Sequence, residues 1–128
     1  MTAVTPAVRE IVLTRAGWHC EHCYAALDGP WGYSVQHRDA RGMGGSRQAW
    51  LGEPPNLLAL CGSGTTECHG RVEHHPAWAY QRGLALRTGD DPERTPFMDA
   101  NGAWWLLIAD TKHPITIPFT YQLEGATH

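Results

Sequence analysis

Asn56–Pro76 reads NLLALCGSGTTECHGRVEHHP. Its apolar run, Leu57 to Leu60, is too short for an ordinary helix and is closed by Cys61-Gly62. That predicts a second strand or an extended turn leading back to a sulfur-bearing position. From Cys68 a helix begins, but Pro76 has no amide hydrogen to donate and disfavours helical geometry at His75. Two short helices are therefore expected, roughly 68–74 and 76–82, the second with proline at its first position.

Upstream lies SVQHRDARGMGG, Ser34–Gly45, preceded by Trp31-Gly32-Tyr33. WGYSVQH is β-rich and ends at His37, followed by a glycine-containing loop to Pro55 that carries Arg38, Arg41 and Arg47. A histidine packed in a core would have apolar neighbours; His37 has arginines, an aspartate and glycines. At the front, PAVREIVLTRAG places Thr5 as cap, Pro6 at the first helical position, Val8, Ile11, Val12 and Leu13 as the apolar face and Gly17 as the stop. Asp28-Gly29-Pro30 is turn chemistry. At the back, AWWLLIAD and PITIPF predict a C-terminal β-hairpin at about 95–120, bounded by Asn101-Gly102 and Asp110-Thr111. Trp78, Trp104 and Trp105 read as core anchors or partner-contact residues, with base stacking a lesser option.

The 128 residues suffice for one small domain with a modest core, which needs a staple. Its four cysteines fall as Cys20-x2-Cys23 and Cys61-x6-Cys68, about forty residues apart. Four thiolates in two close pairs complete a tetrahedral zinc shell and leave no open position for catalysis, so the expected metal is structural. The bland alternative is four reduced core cysteines. His19 and His22 lie inside the first pair, and with four sulfurs present they read as surface or supporting histidines.

No run of 18 apolar residues could span a bilayer. The N-terminal hydrophobic stretch is interrupted by charges, so no signal peptide is expected, and the chain reads as soluble and cytoplasmic. Net charge is -3, but its distribution is uneven. Residues 1–87 carry eight basic and seven acidic side chains, whereas residues 88–128 carry two and six. The front two thirds is thus less repelled by phosphate, and nine of the ten basic residues are arginine, whose planar fork suits a pair of phosphate oxygens.

CEHC, then VQHRDARGMGG, NLLALCG and CHGRVEHHP, in that order over residues 20 to about 82, resemble the HNH endonuclease family, in the small zinc-stapled form seen in actinobacterial phages and their hosts. The resemblance implies an α+β fold: a ββα-metal (His-Me finger) core over 18–82 with a four-cysteine zinc site, an N-terminal helix and a C-terminal hairpin, all in one domain, 1–128. It implies a DNA endonuclease, cutting one strand or both and leaving 5'-phosphate and 3'-hydroxyl ends. His37 would be the general base, Asn56 would hold the His37 loop through backbone hydrogen bonds, and His69 would open the helix as a metal ligand. A second ligand four residues on, one helical turn above His69, would be Glu73, with His74 in reserve. The residue before the base, usually histidine or aspartate and a ligand in the family, is here Gln36, which brings no charge and little basicity. The implied catalytic ion is magnesium or manganese, with zinc a further option. Arg38, Arg41 and Arg47 would contact the DNA backbone. A partner in a phage packaging machine, beside the terminase in the host cytoplasm, is also implied. The competing reading is a catalytically weak or inactive zinc module that binds DNA or such a partner.

Overall fold

The computed structural model describes residues 4–29, 32–40, 49–62 and 67–116. Helix α1 spans Pro6–Arg15; Thr5 Oγ1 accepts from the Val8 amide at 3.2 Å, and Pro6 opens the helix without a lost hydrogen bond. Its end is a left-handed turn at Gly17 (φ 63°), with the Trp18 amide reaching back to the Leu13 carbonyl at 3.0 Å. The cap and stop thus stand where the sequence puts them.

Strands β1 (Tyr33–His37) and β2 (Leu57–Cys61) pair antiparallel, with Tyr33 opposite Cys61 and His37 opposite Leu57. β2 is buried along its whole length, which explains why LLAL is continuously apolar rather than alternating. It is covered by α1 and by α2 (Glu67–His74), which also touches β1. Helix α3 (Pro76–Gln81) follows at once, with His75 (φ -133°, ψ 68°) as the non-helical residue between the two helices. Short 3-10 turns at Ala49–Gly52 and Pro54–Asn56 lead into β2.

A second sheet joins β3 (Phe97–Met98), β4 (Trp104–Ile108) and β5 (Thr111–Ile115) in that order. The C-terminal hairpin is therefore present, but its second strand starts at Thr111 rather than Pro114, after a two-residue turn at Ala109-Asp110. Pro114 is accommodated inside β5 because that strand is an edge and can spare the amide. Residues 117–120, which the sequence reading included in the hairpin, lie outside the described residues. β3 was not foreseen; two residues long, it offers no periodicity to read. Trp104 is buried, while Trp105 and Trp78 are half-buried.

One core serves both sheets. Val12, Leu13, Leu27, Leu57, Leu58, Leu60, Leu84, Phe97 and Leu107 form a continuous buried cluster. Gly83 is obligatory where α3 turns back toward β3: its φ is +66°, and a Cβ there would lie 1.9 Å from the Pro96 carbonyl oxygen. Among the described residues, no helix is long and apolar enough to cross a membrane.

Several charged side chains are buried in this small core. Arg15 forms a bidentate pair with Glu21 (2.6 and 3.1 Å) and donates to the carbonyls of Pro54 and Leu57, while Glu21 accepts from the Ala59 amide at 2.9 Å. This network ties α1, the first cysteine pair and β2 together. Arg38, only 1 % exposed, donates to the carbonyls of Gly83, Pro55, Pro92 and Thr95 at 2.6 to 3.1 Å. Burial, with Arg15 adding repulsion, pulls its pKa down to about 9, so it stays charged at neutral pH. The expected phosphate-facing role of Arg38 is thereby corrected: its guanidinium is committed to backbone carbonyls and fastens the 83–95 segment to the end of β1. Arg38→Met should destabilise the fold by about 3 kcal/mol or more, because several buried carbonyls lose a charged donor at once. Urea denaturation measures this, and a change below about 1 kcal/mol, a single ordinary hydrogen bond, would contradict it.

Candidate functional site

Cys20, Cys23, Cys61 and Cys68 come together where the turn after α1 meets the end of β2 and the start of α2, their sulfurs all within 4.8 Å of one another. Zinc–sulfur bonds of about 2.3 Å in a tetrahedron place the sulfurs about 3.8 Å apart. Cys23 Sγ and Cys61 Sγ are 3.6 Å apart, matching that spacing and far beyond disulfide length. The four cysteines thus form a site that can hold a metal such as zinc. Hydrogen bonding from Cys68 holds the Cys20 thiol down to about 4, whereas burial pushes Cys61 up to about 12. Cys68 is pushed up first by its hydrogen bond to Cys20 and then by burial. Sulfurs this close cannot all carry charge unaided, which is the condition a divalent ion relieves.

The second sheet is docked onto this knuckle. The Ala100 amide donates to the His22 carbonyl at 2.8 Å, His22 Nδ1 lies 3.3 Å from the Met98 carbonyl, and the His22 ring stands edge-on to Trp78. Tyr24 donates its hydroxyl to Asp99, whose carboxylate also accepts from Trp105 Nε1 and the amides of Asn101 and Ala103. Burial opposes ionisation of Asp99, but those four donors outweigh it and hold the carboxyl below its usual range. A carboxyl depressed in the folded state stabilises fully above its unfolded value, about 3.9, and loses that contribution as pH falls through its lower folded value. Tryptophan fluorescence of the docked sheet should therefore show an acid transition below about pH 4 that Asp99→Asn shallows. An unchanged transition in the variant would contradict this.

His37 closes β1, and together with Gln36 it lines a cleft of about 520 Å³. From α2 and α3 the same cleft receives Val72, Glu73, Pro76 and Tyr80, and from the following segment Ala85, Leu86, Arg87 and Thr88. Strand alternation predicts that Gln36 and His37 diverge; they share the cleft because β1 ends there and the backbone turns away. Gln36 Nε2 lies 3.3 Å from Glu73 Oε1, and Glu73 Oε1 lies 3.6 Å from His69 Nε2. His69 Nδ1 is engaged by Ser34 Oγ at 2.8 Å. The structure thus brings Gln36, His37, Glu73 and His69 into one neighbourhood. His74 is exposed and does not line the cleft.

Asn56 is fully buried at the start of β2 and does not line the cleft. Its Oδ1 accepts from the Asp39 amide at 2.8 Å, and its Nδ2 donates to the carbonyls of Asp39 (3.2 Å) and Leu51 (2.9 Å). The Arg38 amide adds a bond to the Asn56 carbonyl at 2.7 Å. Asn56 therefore clamps the backbone immediately after His37. Arg41 and Arg47 lie outside the described residues.

Three participants escape the sequence reading: Ser34, Tyr80 and Arg87. A signal for Ser34 was available. Ser34 and Gln36 stand two apart on a strand, an advance of roughly 6.7 Å, and meet His69 and Glu73, four apart on a helix, an advance of about 6 Å. Among the described residues, the four cysteines are the only set of three or more His, Cys, Asp or Glu side chains close enough to hold an ion.

The chain is thus a small mixed α+β protein with a four-cysteine site able to hold a metal, beside a cleft that gathers a histidine, a carboxylate and an amide. No protein family, no curated protein and no solved structure matches it.

Proposed function

We propose that this protein is a metal-dependent DNA endonuclease of the HNH, or ββα-metal, kind, with β1, β2 and α2 as its core. The observation that carries the reading is that His37, from the strand, and Glu73, from the helix, line one cleft, with Gln36 bridging toward Glu73.

Hydrolysis of a phosphodiester needs a base for the attacking water and a positive charge on the phosphate and the departing 3' oxygen. His37, half-buried at the cleft wall, takes the proton from water. Asn56 holds the backbone after it, so the imidazole keeps its position. Glu73, His69 through Nε2, and Gln36 through Oε1 are the groups that would hold a divalent ion. Two details of the chain fit that assignment. Ser34 at Nδ1 leaves the other ring nitrogen of His69 for the ion, and Gln36 Oε1 is buried without a hydrogen-bond partner. When bound, the ion supplies the charge that the phosphate requires. One nitrogen, one carboxylate and one amide oxygen make a hard donor set that suits magnesium or manganese better than zinc.

A supercoiled plasmid incubated with zinc-loaded protein and added manganese or magnesium should be nicked or linearised, with 5'-phosphate and 3'-hydroxyl ends. Binding without any cutting, under every divalent ion, would instead favour a zinc module that only docks on DNA. The observation that speaks for that second reading is Gln36, a neutral side chain where a charged or imidazole ligand would bind the ion more tightly.

A further inference from the structure

With Arg38 buried, the cation available to a strand in the cleft must come from elsewhere. Among the described residues that line the cleft, Arg87 is the one exposed basic side chain, and no ion pair joins it to another described residue. Its guanidinium lies 4.2 Å from the centroid of the Tyr80 ring, which is itself part of the cleft wall. A guanidinium shelved on an aromatic face is restrained in its tilt, so its donors stay free to meet a planar or forked oxygen pair. The backbone beneath is fixed too: the Leu86 amide donates to the Arg38 carbonyl at 2.8 Å, and Asp90 Oδ2 accepts from the Arg87 amide at 3.0 Å. The buried guanidinium of Arg38 pins the Gly83, Pro92 and Thr95 carbonyls on either side. Glu73 and Asp39 give the walls negative charge that would repel a bare phosphodiester. An arginine held on a ring at the rim offsets that repulsion.

We propose that Arg87, shelved on Tyr80, is the residue that receives a backbone phosphate of the DNA strand lying in the His37 cleft. The assignment rests on the endonuclease reading and adds the contact which orients the strand. Arg87 does no chemistry on the reacting atoms; it positions the phosphodiester that His37 and the ion-binding groups act upon.

The test separates binding from cutting by using zinc-loaded His37→Ala protein and a fluorescein-labelled DNA duplex, with dissociation constants measured over a range of sodium chloride. Adding Arg87→Gln should weaken binding about tenfold at low salt and lower the slope of log affinity against log salt by about 0.9, the value for one lost phosphate contact. Arg87→Lys should retain the slope, because the charge remains, while Lys112→Gln, on β5 over Trp105 and not among the residues lining the cleft, should change neither quantity. Should Arg87→Gln bind as tightly as its parent and with the same slope, the phosphate contact is overturned while the cleavage reading stands. Should the parent show no affinity for duplex at any salt, both are overturned together.

Discussion

Cys20→Ser should leave the chain without zinc and without a cooperative fold. The expectation follows from magnitudes. A structural zinc in a small domain contributes about 10–16 kcal/mol of apparent free energy at neutral pH, as much as or more than the 5–15 kcal/mol of net stability a domain possesses. Here the four sulfurs also join three segments of the fold: the turn after α1, the end of β2 and the start of α2. The damage would spread because the knuckle is itself a docking surface. Glu21 is bonded to both the amide and the carbonyl of Ala59, and His22 and Tyr24 hold the β3–β4 sheet. Metal analysis of the purified parent should give one zinc per chain. Circular dichroism should show a single melting transition that a strong chelator abolishes and added zinc restores, whereas the serine variant melts without cooperativity in either condition. A chelated parent that keeps its melting point would reduce the cysteines to ordinary core residues.

His37→Ala should reduce plasmid cleavage by about 10²–10⁴-fold, the range for losing a positioned general base, with little change in zinc content or melting temperature. The small structural effect follows from His37's place: half-buried at the last position of β1, at a cleft wall rather than in the core. The two readouts must move apart. A variant that still cuts within about threefold of the parent, far short of a lost base, would remove His37 from the chemistry. A variant that fails to fold would assign it to the scaffold instead.

These two residues also mark how far the sequence could be read. Local signals were legible wherever one residue's chemistry forced the backbone: Thr5 and Pro6 opening α1, Gly17 closing it, Pro76 separating α2 from α3. The cysteine spacing told which segments meet, because four sulfurs have few other reasons to pair in this way. The helical spacing of His69 and Glu73 put both on one face.

What failed was anything that depended on which way a side chain turns after an element ends. Arg38 looked like a phosphate contact because arginine beside a glycine loop is usually solvated. In the fold it meets four backbone carbonyls from segments 17 to 57 residues away, a convergence that no local pattern announces. The buried Arg15–Glu21 pair was invisible for the same reason, since a helix-terminal arginine reads as favourable end-of-helix charge. Arg87 lay beyond the predicted core and was brought to the cleft only by the Arg38 staple. Ser34 was missed although strand and helix periods place it opposite His69.

A crystal of the zinc-loaded protein soaked in manganese, with anomalous differences recorded for both metals, tests the two-site arrangement most directly. The expected result is zinc among Cys20, Cys23, Cys61 and Cys68, and manganese bound by Glu73, His69 Nε2 and Gln36 with the His37 imidazole facing it. A map with manganese absent from that cleft at saturating concentration, or with His37 turned away from it, would contradict the proposal that strand, helix and sulfur site together form a nuclease.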